Sequence, residues 1–94
     1  MFVGIIRAEL RIHGASSLKE KRAVLRRLKD RTRSRHNISV AEVDHQELRQ
    51  RATLGFAAVG FTEDDLATLF ERIRDEIETV LPGGLIDWNE EVLS

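Results

Sequence analysis

Residues 54–61 read LGFAAVGF, close to the pattern of a strand that stacks aromatic rings on RNA bases. The residues that fit this pattern are Gly55, Phe56, Ala57, Val59 and Phe61. Leu54 replaces the basic residue of the pattern, and Ala58 replaces its second stacking aromatic. Alanine cannot stack on a base, so we interpret the segment as a buried central strand. Leu54, Phe56 and Ala58 share one face and Ala57, Val59 and Phe61 the other. Either set could form the core, since their apolar volumes are similar, and we favour the first.

A basic segment is the second candidate for chemistry. Nine positive side chains lie between Lys19 and Arg35, and arginine is well suited to contact phosphates with two hydrogen bonds. The candidate RNA contacts are Lys19, Lys21, Arg22, Arg26, Arg27, Lys29, Arg33, Arg49 and Arg51. Two alternatives stay open. An exposed helix face is ordinarily charged, and the acidic residues Glu71, Asp75, Glu76 and Glu78 of a second helix could neutralise this one.

Charge is distributed unevenly along the chain. Residues 1–54 carry 13 Lys and Arg against 6 Asp and Glu, whereas residues 55–94 carry 2 against 10. Such a split indicates a polyanionic partner. The absence of cysteine excludes disulfides and cysteine-based zinc sites. The apolar start, Met1–Ile6, is interrupted by charges from Arg7 onward, so we expect neither a signal peptide nor a membrane span, and a cytoplasmic location.

The DHQE segment, Asp44–Glu47, is the third candidate. Asp44, His45 and Glu47 could form a metal or acid–base site, but the spacing of a typical metal site is missing. Capping of one helical turn explains Asp44 and Glu47 without chemistry. No phosphate-binding glycine loop and no Ser-His-Asp arrangement is present. We therefore expect no enzyme, no cofactor, no metal and no small-molecule substrate.

The elements follow from hydrophobic periodicity and capping signals. Alternation predicts strands over 2–13, 38–43, 52–61 and 85–93. A capping box formed by Ser17 and Glu20 starts a helix that runs to about His36, and Thr62 caps a second helix that stops at Pro82. The order β-α-β-β-α-β predicts a single α+β domain over 1–94 of ferredoxin-like type. In that fold two helices cover one face of a four-stranded antiparallel sheet.

The uncovered sheet face is a candidate interface between two copies of the chain. In the favoured register it presents Val3, Ile5, Arg7, Glu9, Arg11 and Val59. Apolar residues on an open face indicate a partner, and Glu9 between two arginines suits charge pairing across a two-fold axis. The alternative is a solvated face with a few incidental apolar residues.

Two motifs, SSLKEKRAVLRRLKDR and NISVAEVDHQEL, resemble the YlxP-like family of small bacterial proteins. The resemblance covers nearly the whole chain in the family's order. It implies a ferredoxin-like fold and a loose link to translation, because the family's genes often lie beside translation genes. It implies no catalytic residues.

Three hypotheses follow. The first is a non-enzymatic factor that binds structured RNA, on the ribosome or elsewhere, through the basic helix and the 46–51 connection. The second is a homodimeric interaction or regulatory module without RNA affinity. The third is an enzyme that uses the Asp44–Glu47 turn. A continuous positive surface would favour the first, and local neutralisation by the acidic helix would favour the second.

Overall fold

The computed structural model describes residues 1–94 and confirms the predicted β-α-β-β-α-β order. Its elements are β1 (Phe2–Arg11), α1 (Leu18–Arg35), β2 (Ser39–Asp44), β3 (Arg51–Gly60), α2 (Glu63–Val80) and β4 (Leu85–Leu93). The bounds of β1, β2 and β3 differ from the predicted ones by a residue or two, while β4 matches. Neither helix combines the length and apolar character needed to cross a bilayer.

The four strands form one antiparallel sheet in the order β2-β3-β1-β4. β1 and β3 pair along their full lengths in the centre, from Phe2 opposite Gly60 to Arg11 opposite Arg51. The charge-free composition of residues 52–61 therefore predicted the central position correctly. β2 and β4 are the edges, and α1 packs against β2 while α2 packs against β1, β3 and β4.

The core lies between the helices and the even-numbered side chains of the two central strands. Leu54 and Phe56 are 0% and 2% exposed, which confirms the predicted facing of β3. Gly4 lets the Phe70 side chain of α2 pack directly against the backbone of β1, because a Cβ at position 4 would lie 2.6 Å from Cζ of Phe70. The helices contribute Leu25, Leu28, Leu66, Phe70, Ile73 and Ile77. With Phe56 buried, β3 offers no aromatic platform for bases.

The start of α1 is capped, but not by the full predicted box. Ser17 Oγ accepts a hydrogen bond from the Glu20 N–H at 3.1 Å, as expected. The Glu20 carboxylate, however, accepts from the N–H and hydroxyl of Ser16, at 2.6 and 2.8 Å, and not from the N–H of Ser17. The reciprocal box occurs instead at α2, between Thr62 and Asp65.

The predicted helical turn at Asp44–Glu47 is wrong. Asp44 still belongs to β2, where it pairs with Thr53, and His45 adopts a left-handed φ of 60°. The His45 carbonyl accepts from the Leu48 N–H at 3.1 Å, which closes a tight turn. Capping logic failed here because strand pairing extends one residue further than the alternation predicted.

Candidate nucleic-acid interface

Five cations of α1 form a row along one side of the helix. They recur at intervals of three and four residues, which keeps side chains on one side at 3.6 residues per turn. We call this row the basic stripe; its members are Lys19, Arg22, Arg26, Lys29 and Arg33. All are exposed except Lys29, which is half-buried. The stripe therefore presents a continuous line of positive charge to solvent.

The basic stripe borders the edge strand β2. Arg22, Arg26 and Lys29 line an open groove of about 270 Å³ together with Glu42 of that strand. At the end of the stripe, Arg33 donates a hydrogen bond to the Val40 carbonyl at 2.9 Å. Arg33 also lies 3.9 Å from Asp30, and it is the one stripe member with an acidic side chain within ion-pair distance.

Lys21, predicted as an RNA contact, is buried, and that prediction is wrong. Its side chain is 1% exposed and its ammonium group lies 2.9 Å from a carboxylate oxygen of Glu42. The same ammonium group donates to the carbonyls of His45 and Leu48, both at 2.7 Å. Lys21 thus holds the β2–β3 connection against α1 and cannot reach a ligand.

The acidic helix neutralises only the far side of α1. Arg31 and Arg35 lie 2.8 and 3.7 Å from the carboxylate oxygens of Glu76, which is 8% exposed. These two arginines face α2, whereas the basic stripe faces away from it. The other acids of residues 55–94 belong to α2, which packs against β4 but not β2, and to β4 itself, whereas α1 packs against β2. The charge asymmetry of the sequence becomes an asymmetry between the two edges of the sheet.

Three other predicted contacts lie off the stripe. Arg27 is exposed on another side of α1. Arg49 donates to the Ser16 carbonyl at 3.2 Å, near the start of α1. Arg51 is half-buried on β3 and lies opposite Arg11 on the open side of the sheet. The structure therefore does not bring these three into one row with the stripe.

A polar network occupies the charged half of the open sheet face. Glu9 accepts from the Thr53 hydroxyl at 2.8 Å and lies 3.4 Å from the Arg7 guanidinium. Arg7 also lies 3.4 Å from Asp44, and His45 Nε2 lies 3.6 Å from Glu9. Arg7 and Glu9 therefore pair within one chain. Their charges do not require the predicted pairing across a two-fold axis.

The same network differs from the candidate site of Asp44, His45 and Glu47 that the sequence raised beside the capping interpretation. Glu9, from a distant part of the sequence, lies beside His45, whereas no hydrogen bond or ion pair joins Glu47 to the imidazole. No group of three or more His, Asp or Glu side chains is arranged to hold a metal ion. The strand register accounts for the contact between Glu9 and His45. Thr53 pairs with Glu9 on one side and with Asp44, which precedes His45, on the other.

Two carboxyl groups have lowered pKa values. The pKa of Asp44 falls below its ordinary 3.8, chiefly because the His45 N–H donates to it, with further contributions from the charges of His45 and Arg7. The pKa of Glu20 falls below its ordinary 4.5 because the backbone N–H and then the hydroxyl of Ser16 donate to it. Both shifts arise from contacts that fix turns.

The fold is that of a known class of small α+β proteins. A de novo designed protein with ferredoxin fold aligns with a TM-score of 0.58 at 13% identity, covering 100% of this chain and 86% of that one. SnoaB, a cofactor-independent oxygenase from Streptomyces nogalater, gives 0.56 at 9%, covering 99% and 91%. A REP-associated tyrosine transposase bound to a REP hairpin gives 0.55 at 12%, covering 98% and 56%. At these identities the likeness establishes the fold alone.

The chain belongs to the family described as "Protein of unknown function (DUF503)", whose model matches residues 3–89. It is 44% identical over 57 residues to "Uncharacterized protein YlxP" of Bacillus subtilis (strain 168). That match spans 61% of this chain and 62% of the relative's length. Both findings confirm the resemblance to the YlxP-like family.

Proposed function

We propose that this protein is a small non-enzymatic cytoplasmic factor that binds the phosphate backbone of structured RNA through the basic stripe. The observation that carries the proposal is a row of five aligned cations, four exposed and Lys29 half-buried, that α2 does not neutralise. Arg31 and Arg35 are paired with Glu76, but Lys19, Arg22, Arg26 and Lys29 have no acidic side chain within ion-pair distance.

The dimensions of the stripe suit a nucleic-acid backbone. From Lys19 to Arg33 it extends about 21 Å, at roughly 1.5 Å per helical residue. One strand of a B-form DNA duplex places a phosphate about every 3.4 Å along its axis, so on that spacing the stripe lies alongside roughly six phosphates, and alongside more in the shorter-rise helix of RNA. Three of its five members are arginines, which can contact one phosphate with two hydrogen bonds.

The expected mode of binding depends on shape and charge, with little reading of sequence. Phosphate contacts position a protein on nucleic acid, while base contacts supply specificity. Phe56, which sits at a stacking position of the RNA-binding pattern, is 2% exposed and belongs to the core. A folded RNA with a closely spaced backbone therefore suits the stripe better than an unstacked single strand.

The fold does not by itself choose between functions. Proteins with this fold include an oxygenase and a transposase bound to a hairpin, so function has to be argued from the surface. The link with translation that the resemblance implies makes ribosomal RNA the first RNA to test.

The salt dependence of binding tests the proposal. We expect a ribosomal RNA hairpin to bind with an affinity that falls steeply between 50 and 200 mM KCl, since each neutralised phosphate releases counterions. Five contacts give a slope of about −4 in a plot of log K against log salt. Fluorescence anisotropy with a labelled hairpin measures it. A protein that does not bind the hairpin even at about 25 mM salt would refute the proposal.

A pair of matched charge reversals tests the location. Arg22→Glu with Arg26→Glu changes the stripe, whereas Arg27→Glu with Arg72→Glu changes net charge equally but outside it. We expect the first pair to weaken binding more than tenfold and to reduce the slope by about 2. The control pair should retain the slope. Arg33 is left unchanged because it also holds Val40. Equal losses in both pairs would refute the stripe as the interface.

A further inference from the structure

We propose that two copies of this chain associate through the apolar end of the open sheet face, a surface separate from the basic stripe. The apolar end comprises Met1, Val3, Ile5, Val59, Phe61 and Leu93. Val3 pairs with both Val59 and Leu93 in the sheet, so these three side chains form one row across β3, β1 and β4. This inference does not depend on RNA binding.

Alternation along the strands places these residues on one side. Gly60 faces the helices, because a Cβ there would lie 2.9 Å from Cγ of Leu66. Its neighbours Val59 and Phe61 are 57% and 88% exposed, as expected for the uncovered side. Ile5 is 40% exposed on the same side. The helices therefore cover none of this surface.

Exposure of large apolar side chains is concentrated at this end. Of nine such residues, five belong to it: Met1, Ile5, Val59, Phe61 and Leu93. Scattered exposed apolar residues are normal, but a contiguous group on an uncovered sheet face marks a contact surface. Burial of Phe61 in particular would remove a large apolar area from water.

The surface is complementary to itself. Two large side chains, those of Met1 and Phe61, lie at its outer end. The small Ala57 lies two residues before Val59 on β3, farther from that end. A two-fold axis lying across the strands at the Val3–Val59 row would place Phe61 of each copy over Ala57 of the other. It would also place Met1 over Ile5. Phe61 over Ala57 matches a large side chain with a small one, which lets the two sheets interdigitate there, while Met1 and Ile5 are two apolar side chains in contact.

The charged half of the face stays in water in this arrangement. Arg7, Glu9, Asp44 and Thr53 satisfy one another within the chain and lie beyond the overlap. Glu91, opposite Ile5 on the edge strand β4, is exposed at the border of the patch. Their burial in a full face-to-face dimer would remove charges from solvent without supplying a new partner. The interface is therefore offset toward the apolar end.

The size of the patch sets the strength of the association. It is about 15 Å wide, three strands at roughly 4.8 Å each, and about 16 Å long, five residues at roughly 3.3 Å each. Two such patches bury roughly 500 Å² of flat area, and more with side-chain relief, which is below the area of stable specific interfaces and in the range of weak, transient contacts. We therefore expect a reversible dimer with a dissociation constant of about 10⁻⁵ to 10⁻³ M.

Sedimentation velocity from about 10 µM to 1 mM tests the association. Wild type should shift from monomer toward dimer across this range. Phe61→Ser should raise the dissociation constant at least tenfold, and because Phe61 is 88% exposed the variant should fold normally. Leu48→Ser, at a 47% exposed apolar residue outside the face, is the matched control and should behave as wild type. A wild type that stays monomeric at 1 mM, or a Phe61→Ser variant that still dimerises, overturns the proposal.

A cross-linking experiment tests the register. The chain contains no cysteine, so single thiols can be introduced cleanly. Val59→Cys would lie at the axis, and a thiol-reactive linker with a reach of about 10 Å matches the spacing of packed sheets. We expect at least tenfold more cross-linked dimer for Val59→Cys than for Leu48→Cys. Equal yields for the two variants would overturn the proposed packing.

Discussion

The ammonium group of Lys21 lies 2.9 Å from the carboxylate of Glu42, and the Lys21 side chain is 1% exposed. The two residues come from the two sequence motifs that carry the family resemblance, SLKEKR in α1 and VAEVDH in β2. The motifs therefore meet in one buried ion pair. With the carbonyls of His45 and Leu48, this pair joins α1, β2 and the connection to β3.

Replacement of Lys21 should destabilise the fold strongly. Lys21→Met leaves Glu42 and two carbonyls without their partner, and breaking a buried pair from one side costs roughly 3–5 kcal/mol. Urea denaturation followed by circular dichroism measures the change. Lys29→Met, on the same helix but half-buried in the basic stripe, is the control and should move stability by about 0.5 kcal/mol at most. An unchanged midpoint for Lys21→Met would show that the pair is not formed.

Two phenylalanines, Phe56 in the middle of β3 and Phe61 directly after it, should differ sharply in their effect on stability. Phe56 is 2% exposed, so Phe56→Ala should reduce the free energy of unfolding by roughly 3–5 kcal/mol. Phe61 is 88% exposed, so Phe61→Ala in dilute solution should change it by about 0.5 kcal/mol at most. Thermal melts of both variants check this. A stable Phe56→Ala variant that lost RNA binding would mean that the faces of β3 are reversed.

The contribution of the Ser17 cap of α1 to the free energy of unfolding should be measurable on its own. Ser17 Oγ satisfies the N–H of Glu20, so Ser17→Ala should destabilise the protein by about 0.5–2 kcal/mol. Ser34→Ala is a suitable control, because its hydroxyl bonds only to the Arg31 carbonyl within the last turn. Equal denaturation midpoints for wild type and Ser17→Ala would contradict the cap.

Acid should abolish the contribution of Glu20. Folding lowers the pKa of Glu20 from its ordinary 4.5, because Ser16 donates to the carboxylate. A carboxyl whose pKa falls on folding stabilises the protein above the unfolded pKa and loses that contribution as the pH falls through the folded one. The difference in stability between wild type and Glu20→Gln should therefore be present at neutral pH and shrink below about pH 4.5. Denaturation at a series of pH values measures it, and a difference independent of pH would be inconsistent with these hydrogen bonds.

The fold was predictable because its local signals agree. Alternation along β1 and β3, the Thr62 cap and the stop at Pro82 all specify the same architecture. Parity grouped Phe56 with Leu54 and Ala58 but left two faces possible, and the structure buries the favoured one. Lys21 was missed because a lysine within a basic run was taken as solvated. Its spacing to Leu25, Leu28 and Thr32 is that of the buried side of α1, and this signal was available in the sequence.

Long-range contacts set the limit of prediction at the open sheet face. The contact between Glu9 and His45 joins residues 36 apart in sequence and depends on strand register. The capping prediction for Asp44–Glu47 considered only local hydrogen bonds, whereas the Lys21 ammonium group donates to the carbonyl of His45 inside that segment and to that of Leu48 directly after it. Local rules could not anticipate a donor that arrives from another element.

The opposite charges at the two edges of the sheet make the molecule an electric dipole, although its net charge is only −1. A polyanion attracts the α1–β2 side and repels the α2–β4 side before any contact forms. The electric field between the two molecules therefore orients the protein toward a polyanion while they approach by diffusion, before they touch. At about 0.1 M salt the screening length is about 10 Å, so this electrostatic orientation is lost at larger separations between protein and polyanion. Salt should therefore slow association more than it hastens release.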